Sequence, residues 1–309
     1  MEVRAYEATR EKEWDAFVQT AKNGHFMFQR RYMEYHAHRF KDASLLFYHK
    51  QKLLALLPAH LDGQVLASHK GLTFGGILCD VSMTFALMQE VFSALKKYLR
   101  ANNVTSVFYK AIPTCYHQIP ASEDVAVLTV LRAKIVARDL VSVVDLTTPI
   151  KYYKGVRWGI QKARKAGLEI RKTNDVASFL QIMAGVLAGK YGLQTAHTAE
   201  ELKMLLGAFP EQISLVCVFE GKQMLGGTLL FLTKRVVHAQ YIGMSERGKE
   251  LAATPFLLDS IFQFYRGKKQ SFSFGTSQGG EYVNEKLLYF KESMGARALL
   301  QEQYLLHFD

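Results

Sequence analysis

Residues 271–295 read SFSFGTSQGGEYVNEKLLYFKESMG. The stretch opens as a strand, with Phe272 and Phe274 alternating with serines. It breaks at Gly275, crosses the polar run Thr276, Ser277, Gln278, Gly279 and Gly280, and regains order at Asn284, a good helix N-cap. Gly295 is a good C-terminal stop. Between the two, Leu287, Leu288, Lys291 and Met294 fall on one helical face, and Lys291 is the one cation among three apolar residues. A cation on an apolar stripe, just after a strand-to-loop break, marks a candidate site. The same lysine can instead lay its stem along apolar surface and keep its head in water.

Upstream of that stretch, Thr254 and Pro255 predict a helix to about residue 266, after strands at 213–220, 224–232 and 236–242. Thr198 with Glu201 is a capping box opening a helix to about residue 207. A helix is expected over 174–190 and a strand over 168–172. Thr148 and Pro149 predict a helix start, a cap followed by proline at the first helical position, and Gly167 its stop. Gly155 and Gly159 inside that span permit close backbone approach. Downstream, residues 297–307 read as a final strand.

The first half predicts helices over 11–21, 30–40 and 84–101. The last carries Leu87, Met88, Val91, Phe92, Leu95 and Leu99 at helical spacing. A hairpin is expected over 45–61, turning near 49–51, with strands near 72–78, 104–109, 125–131 and 140–146. The halves repeat each other. A shift of 170 residues sets Leu87, Met88, Val91, Phe92 and Leu95 on Leu257, Leu258, Ile261, Phe262 and Tyr265. The matching order of hairpin, third strand, amphipathic helix and strand points to a duplication, with units 1–147 and 148–309.

The 309 residues give room for two domains of about 100–200 residues each. An apolar content of 49% with 22% charged residues is that of a globular protein. No apolar run reaches the roughly 18 residues of a membrane helix, and the N-terminal residues lack the apolar core of a secretory signal. Cys79, Cys115 and Cys217 are scattered and odd in number, which predicts reduced thiols and a cytoplasmic setting. With no HExxH and no paired CxxC, no metal is expected. The net charge is +11, and residues 151–172 hold eight Lys/Arg against the single acid Glu169. That cluster predicts a polyanionic partner, RNA among the candidates, or else a solvated helix face.

The element order, helix, helix, three antiparallel strands, helix, strand, helix, strand, resembles the GNAT acyltransferase fold. Two such units in one chain resemble the Fem family, whose best-known members add amino acids to peptidoglycan precursors. Three patches carry the resemblance. Arg157, Ile160, Ala163 and Gly167 resemble the basic helix at the start of the family's second unit. Pro255, Leu257 and Leu258 resemble the helix after the splayed strand, and Phe274-Gly275, Phe290-Lys291 and Gly295 the closing FG…FK…G pattern.

The resemblance implies an α+β protein of two GNAT-like units, each a mixed, mostly antiparallel sheet flanked by helices. It implies N-acyl transfer from acyl-CoA or aminoacyl-tRNA to an amine acceptor, such as a peptidoglycan-precursor-like amine. Lys291 would bind negative charge near the reacting centre, with Tyr241 and Tyr282 as candidate proton donors. Arg157, Ser277, Gln278 and Phe290 are candidate substrate contacts. Arg247, Gly248 and Thr254 would face the donor's phosphates at the positive end of the helix opened by Pro255. The pyrophosphate pattern of acetyl-CoA-using GNAT proteins is incomplete, because Glu250 stands where glycine is expected and an acid there repels pyrophosphate. A different class also fits the duplication: a catalytically silent pair of units that binds RNA or another polyanion through residues 151–172.

Overall fold

The structure, a computed structural model, describes residues 1–191, 197–279 and 282–308, with backbone alone for 187–191 and 278–279. Two compact units emerge: Met1–Asp139 with Leu299–Asp309, and Leu140–Ala298.

In the first unit the elements are β1 (Glu2–Ala5), α1 (Glu11–Thr20), α2 (Arg30–Met33), β2 (Lys41–Asp42), β3 (Leu45–His49), β4 (Lys52–Leu57), β5 (His60–Asp62), β6 (Val65–Ala67), β7 (Leu78–Cys79), α3 (Phe85–Ala101), β8 (Ser106–Lys110) and α4 (Glu123–Val130). The hairpin of β3 and β4 turns on Lys50 and Gln51, both at positive φ, as a two-residue turn matched to strand twist requires. Strands β1, β3, β4 and β7 form one antiparallel sheet; β8, β6, β5 and β2 form another row, in which β6 and β8 run parallel. Thr84 caps α3 by accepting the N–H of Leu87. Its stripe of Met88, Val91, Phe92, Leu95 and Leu99 is buried in the unit's core, each side chain contributing about 1.5–3 kcal/mol.

Three expectations for this unit are corrected. Residues 125–130 lie in helix α4 and Leu131 is its C-cap, so no strand forms here. Val125, Val127 and Val130 suggest β structure by type, but Asp124, Val127 and Leu128 are buried at helical spacing, and Glu123 and Asp124 lie in the first turn, where the helix dipole favours acids. Of residues 72–78 only Leu78 is in a strand, because Gly76 sits at φ +96° and the Ile77 N–H is given to the Tyr109 hydroxyl at 2.7 Å. The helix expected over 30–40 is one α turn followed by a 3₁₀ stretch, Glu34–Arg39, broken at His36.

The second unit takes the latter half of β9 (Lys134–Asp145). It continues with α5 (Lys154–Lys165), β10 (Glu169–Thr173), α6 (Val176–Tyr191), α7 (Ala199–Ala208), β11 (Ile213–Glu220), β12 (Gln223–Leu232), β13 (Val236–Met244), α8 (Glu246–Glu250), α9 (Ala253–Tyr265), β14 (Ser271–Thr276), β15 (Gln278–Gly279), β16 (Tyr282–Val283) and α10 (Glu285–Ser293). Its sheet runs β10, β11, β12, β13, β14, β9, antiparallel except where β13 meets β14. The last strand, β17 (Arg297–His307), pairs with β8 and so completes the first unit. The division falls before residue 147 because residues 141–145 of β9 pair with β14.

Helices α5 and α9 pack on one face of this sheet around Val156, Ile160, Ala163, Leu257, Leu258 and Phe262. Gly159 brings them together: a Cβ there would stand 3.2 Å from both Ala252 Cβ and Pro255 Cγ. Helix α5 starts at Lys154 rather than at Pro149. Asp145 captures the Thr147 N–H at 2.8 Å and its hydroxyl at 2.6 Å, which folds residues 145–148 into a turn. Helix α9 starts at Ala253, with Ala252 in the left-handed region as its cap, so Thr254 is already helical. Pro255 is tolerated in that first turn because its missing N–H would have had no intrahelical partner. Among the described residues no helix is long and apolar enough to cross a membrane.

Candidate active site

The second unit's sheet forks between β13 and β14. The two strands pair in parallel at Val236 with Ser271, Val237 with Phe272 and His238 with Ser273, and the pairing ends there. Each strand carries an irregularity at the fork. On β13, Tyr241 faces Leu229 and Ala239 faces Leu230, so Gln240 is an extra residue, and such a bulge bends its strand. On β14 the register against β9 shifts between Ser273 and Thr276, around Gly275 at φ +67°. Two bent strands diverge and leave backbone groups facing the gap.

Lys291 reaches this fork from α10. Asn284 caps that helix by accepting the Leu287 N–H at 3.0 Å, and Gly295, at φ +93°, ends it. A Cβ on Gly295 would come within 2.7 Å of Ile150 Cγ2, so glycine is required twice over. The lysine is 4% exposed, and its ammonium donates to the carbonyls of Thr276 at 2.6 Å and Gly275 at 3.3 Å. Burial lowers its pKa to about 8, leaving it mostly protonated at neutral pH.

His238, on the opposite side of the fork, is 4% exposed, and its Nε2 lies 3.2 Å from Gln240 Oε1. Burial holds the imidazole down to about 4, and the nearby Lys291 cation pushes the same way, so the ring is neutral. A Cβ on Gly275 would stand 3.4 Å from His238 Cε1, so the two residues are neighbours across the fork. Ser277 follows directly. Its N–H donates to Leu140 O at 3.2 Å and its carbonyl accepts from Asn284 at 2.7 Å. Its fully buried hydroxyl has no hydrogen-bond partner among the described residues. A buried hydroxyl in that state is costly unless something else engages it.

The other candidates lie as follows. Tyr241 is half-buried and its hydroxyl is 2.6 Å from His197 Nδ1, three positions along β13 from His238. Tyr282 is 78% exposed on the small ribbon of β15 and β16. Phe290 is half-buried and packs on the apolar core beneath α5 and α9. The backbone of Gln278 pairs with Val283, and its side chain lies outside the described residues.

Arg247 is engaged by acids: its guanidinium bonds Glu220 at 2.8 and 3.1 Å and reaches Glu250 at 3.4 Å, which raises its pKa further. The Gly248 N–H is taken by its cap, Ser245 Oγ, at 3.1 Å, and a Cβ there would meet Leu225 O at 3.0 Å. Thr254 is half-buried in the first turn of α9. In this structure Arg247 and Gly248 both make local contacts.

Helix α5 turns Val156, Ile160 and Ala163 inward and Lys154, Arg157, Trp158, Lys162 and Lys165 to solvent. Trp158 is 70% exposed, with the Lys154 ammonium 5.9 Å from its ring. Exposed Tyr153, the N-cap residue of α5, and Tyr289 on α10 meet edge to face, 5.8 Å apart. Arg164 differs from its neighbours: it pairs at 2.9 Å with Asp259, a buried carboxylate that also accepts from the Tyr152 hydroxyl. His238 and His197 escaped the sequence reading. The available signal was a histidine inside the apolar run Val236, Val237, Ala239. Among the described residues no group of three or more His, Cys, Asp or Glu could hold a metal.

No protein-family model matches the sequence, and no curated protein matches it. Solved structures do. FemX superposes with a TM-score of 0.71 at 10% identity, over 99% of this chain and 97% of that one. The C-terminal domain of a protein assigned as a lysylphosphatidylglycerol synthetase of Agrobacterium fabrum gives 0.61 at 12%, over 98% and 93%. The tandem GNAT protein of the clavulanic acid biosynthesis pathway gives 0.55 at 9%, over 100% and 99%. At these identities the likeness speaks for the fold: the chain has the Fem-like tandem GNAT architecture.

Proposed function

We propose that the chain is an N-acyltransferase whose second unit moves an aminoacyl group from an RNA ester to an amine on a cell-envelope precursor. The observation that carries this reading is the Lys291 ammonium, buried at the point where β13 and β14 part. Its third N–H beyond the two carbonyl bonds is a cationic donor in a low-dielectric site, suited to an oxyanion. The acceptor nitrogen attacks the ester carbonyl, the carbonyl oxygen takes the charge, and Lys291 stabilises it. Collapse breaks the bond to the ribose oxygen, which takes a proton while the new amide nitrogen loses one. Neutral His238 is a candidate to accept that proton. Holding amine and ester together in the fork supplies the proximity term.

Two features favour an RNA ester over a coenzyme A thioester. The Arg247 and Gly248 positions that would hold a pyrophosphate are occupied by Glu220, Glu250 and Ser245. The outer face of α5 offers cations interleaved with exposed Trp158, a surface on which phosphates pair and bases stack. The names of two structural relatives, FemX and a lysylphosphatidylglycerol synthetase, support an aminoacyl group and an envelope acceptor for this chain.

A second reading also has an observation behind it. Lys291 already satisfies two carbonyls and Tyr241 already bonds His197, so both can be structural, which would leave an RNA-binding module without turnover. Incubation with labelled aminoacyl-tRNA, then with labelled acyl-CoA, across a panel of envelope-precursor amines separates the cases. Amide product from tRNA alone is the expected result. Product from acyl-CoA alone refutes the donor. Salt-sensitive RNA binding with no product from either donor establishes the silent module.

A further inference from the structure

The second unit contains a cavity that the transfer chemistry does not use. It lies two strands from the fork, where the C-terminal half of α9 passes over β10, β11 and β12. Its volume is about 620 Å³, within the roughly 300–1,000 Å³ of small-molecule sites. Ile170, Val216, Leu230 and Leu232 form the floor, and Ile261 and Phe264 the helix-side wall. The space exists because Ser214 on β11 and Ser260 on α9 stand where large apolar residues would close helix onto sheet. The Ser260 hydroxyl donates to Phe256 O at 3.0 Å within its own helix, so it offers the cavity little polarity.

One end of this cavity is cationic. Lys172 lines it and also lines an adjoining cavity of about 400 Å³, where Lys203 and Asn174 join it and, among the described residues, no acid does. Pro210 is the other residue common to both. Phe264, 60% exposed at the mouth, carries the Lys268 ammonium 3.7 Å from its ring centre. Among the described residues Glu211 is the single acid lining either cavity, and Asp175, next to Asn174, has its carboxyl held down by Ser178 first and by the Lys203 charge last. An apolar trough leading to a cavity lined by two lysines is complementary to a molecule that is an alkyl chain at one end and an anion at the other.

We propose that this bipartite groove binds a single-chain anionic amphiphile, a long-chain fatty acid, with its chain over Leu230, Leu232 and Phe264 and its carboxylate between Lys172 and Lys203. The carboxylate gains two charge-assisted hydrogen bonds, and the chain covers apolar surface now open to water. A cationic chain of the same length meets the same trough but the wrong charge.

The test is calorimetric titration of the full chain with myristate, below its micelle concentration, with dodecyltrimethylammonium as the charge-reversed probe. Saturable one-to-one binding of myristate is expected, with none of the ammonium probe. Lys172→Glu should weaken myristate binding by about tenfold or more, as expected when a charge-assisted hydrogen bond is removed. Ser260→Phe should abolish it by filling the trough. Phe264→Asp, at an exposed position that tolerates substitution, gives the same readout should the filled variant unfold. Absence of saturable myristate binding overturns the proposal. So does equal binding of both probes, or binding that survives Lys172→Glu and Phe264→Asp together. None of these measurements uses acyl transfer, so they succeed or fail independently of the proposed activity.

Discussion

Replacing Lys291 with methionine keeps the stem volume and removes the charge. In the folded chain the lysine titrates at about 8 against an ordinary 10.5. At about 1.4 kcal/mol per pKa unit, holding the cation in place costs the fold about 3 kcal/mol below pH 8. The variant recovers that cost but leaves the carbonyls of Gly275 and Thr276 without their donor, at roughly 1–3 kcal/mol each. At neutral pH the two effects oppose, and the net change in stability runs from a gain of about 1 kcal/mol to a loss of about 3 kcal/mol.

The pH dependence separates them. Between pH 8 and 10.5 the folded lysine is neutral while the unfolded one still holds its proton, so wild-type stability rises through this window. The variant lacks that rise. Denaturant unfolding of both proteins at intervals from pH 7 to 10 should show the wild type gaining about 3 kcal/mol on the variant. Turnover in the aminoacyl-transfer assay should fall by roughly 10²–10³, the usual loss for one oxyanion donor. A stability difference that stays flat across the window would refute the burial argument. Full activity in the variant would refute the catalytic one.

His238 gives a second window of the same sign at lower pH: its ring is held at about 4 against 6.5 unfolded, so stability is lost as pH falls from 6.5 towards 4. Wild type should lose about 3 kcal/mol more than His238→Gln over that range, and parallel unfolding curves would contradict this. Gln at Lys154, Arg157, Lys162 and Lys165 together should flatten the logarithmic salt slope of tRNA binding by roughly 0.7–0.9 for each phosphate no longer neutralised, with the unfolding midpoint unchanged. An unchanged slope would make the α5 surface a solvated face. Arg164→Ala should instead cost about 1–2 kcal/mol, because it takes the one charged partner from the buried Asp259 carboxylate and leaves it the Tyr152 hydroxyl and the long bond from Gln263 at 3.4 Å. The double variant with Asp259→Asn should recover most of that loss, and strictly additive costs would sink the pairing.

Local chemistry made much of the fold legible. Asn284 and Gly295 bracket α10 as their side-chain and backbone preferences require. Thr198 and Glu201 exchange both bonds of their capping box, at 2.8 and 3.2 Å. The α3 stripe is buried as its spacing demands. Errors arose where side-chain type and context disagree. The valines of α4 favour strands by type, but their burial follows a helical period. Thr148 has the residue type of a cap, yet a carboxylate three positions upstream has drawn residues 145–148 into a turn. Lys291 was visible as a cation on an apolar stripe. The neutral His238 was not, because its burial depends on which strands flank β13. Nor could the sequence separate Arg164 from its neighbouring cations, since its partner lies 95 residues away.

The exchange of strands at the unit boundary bears on how the chain is made. Strand β8 is flanked by β6 on one side and by β17 on the other, and β17 is translated after the whole of Leu140–Ala298. The second unit therefore leaves the ribosome with all its strands while the first is still one short. Until β17 arrives, residues 106–110 present an open ladder edge of the kind that recruits other chains. Premature termination anywhere between residues 140 and 298 leaves that edge permanently exposed. Such fragments should enter chaperone-bound or insoluble fractions even though most of the first unit's sequence is already present.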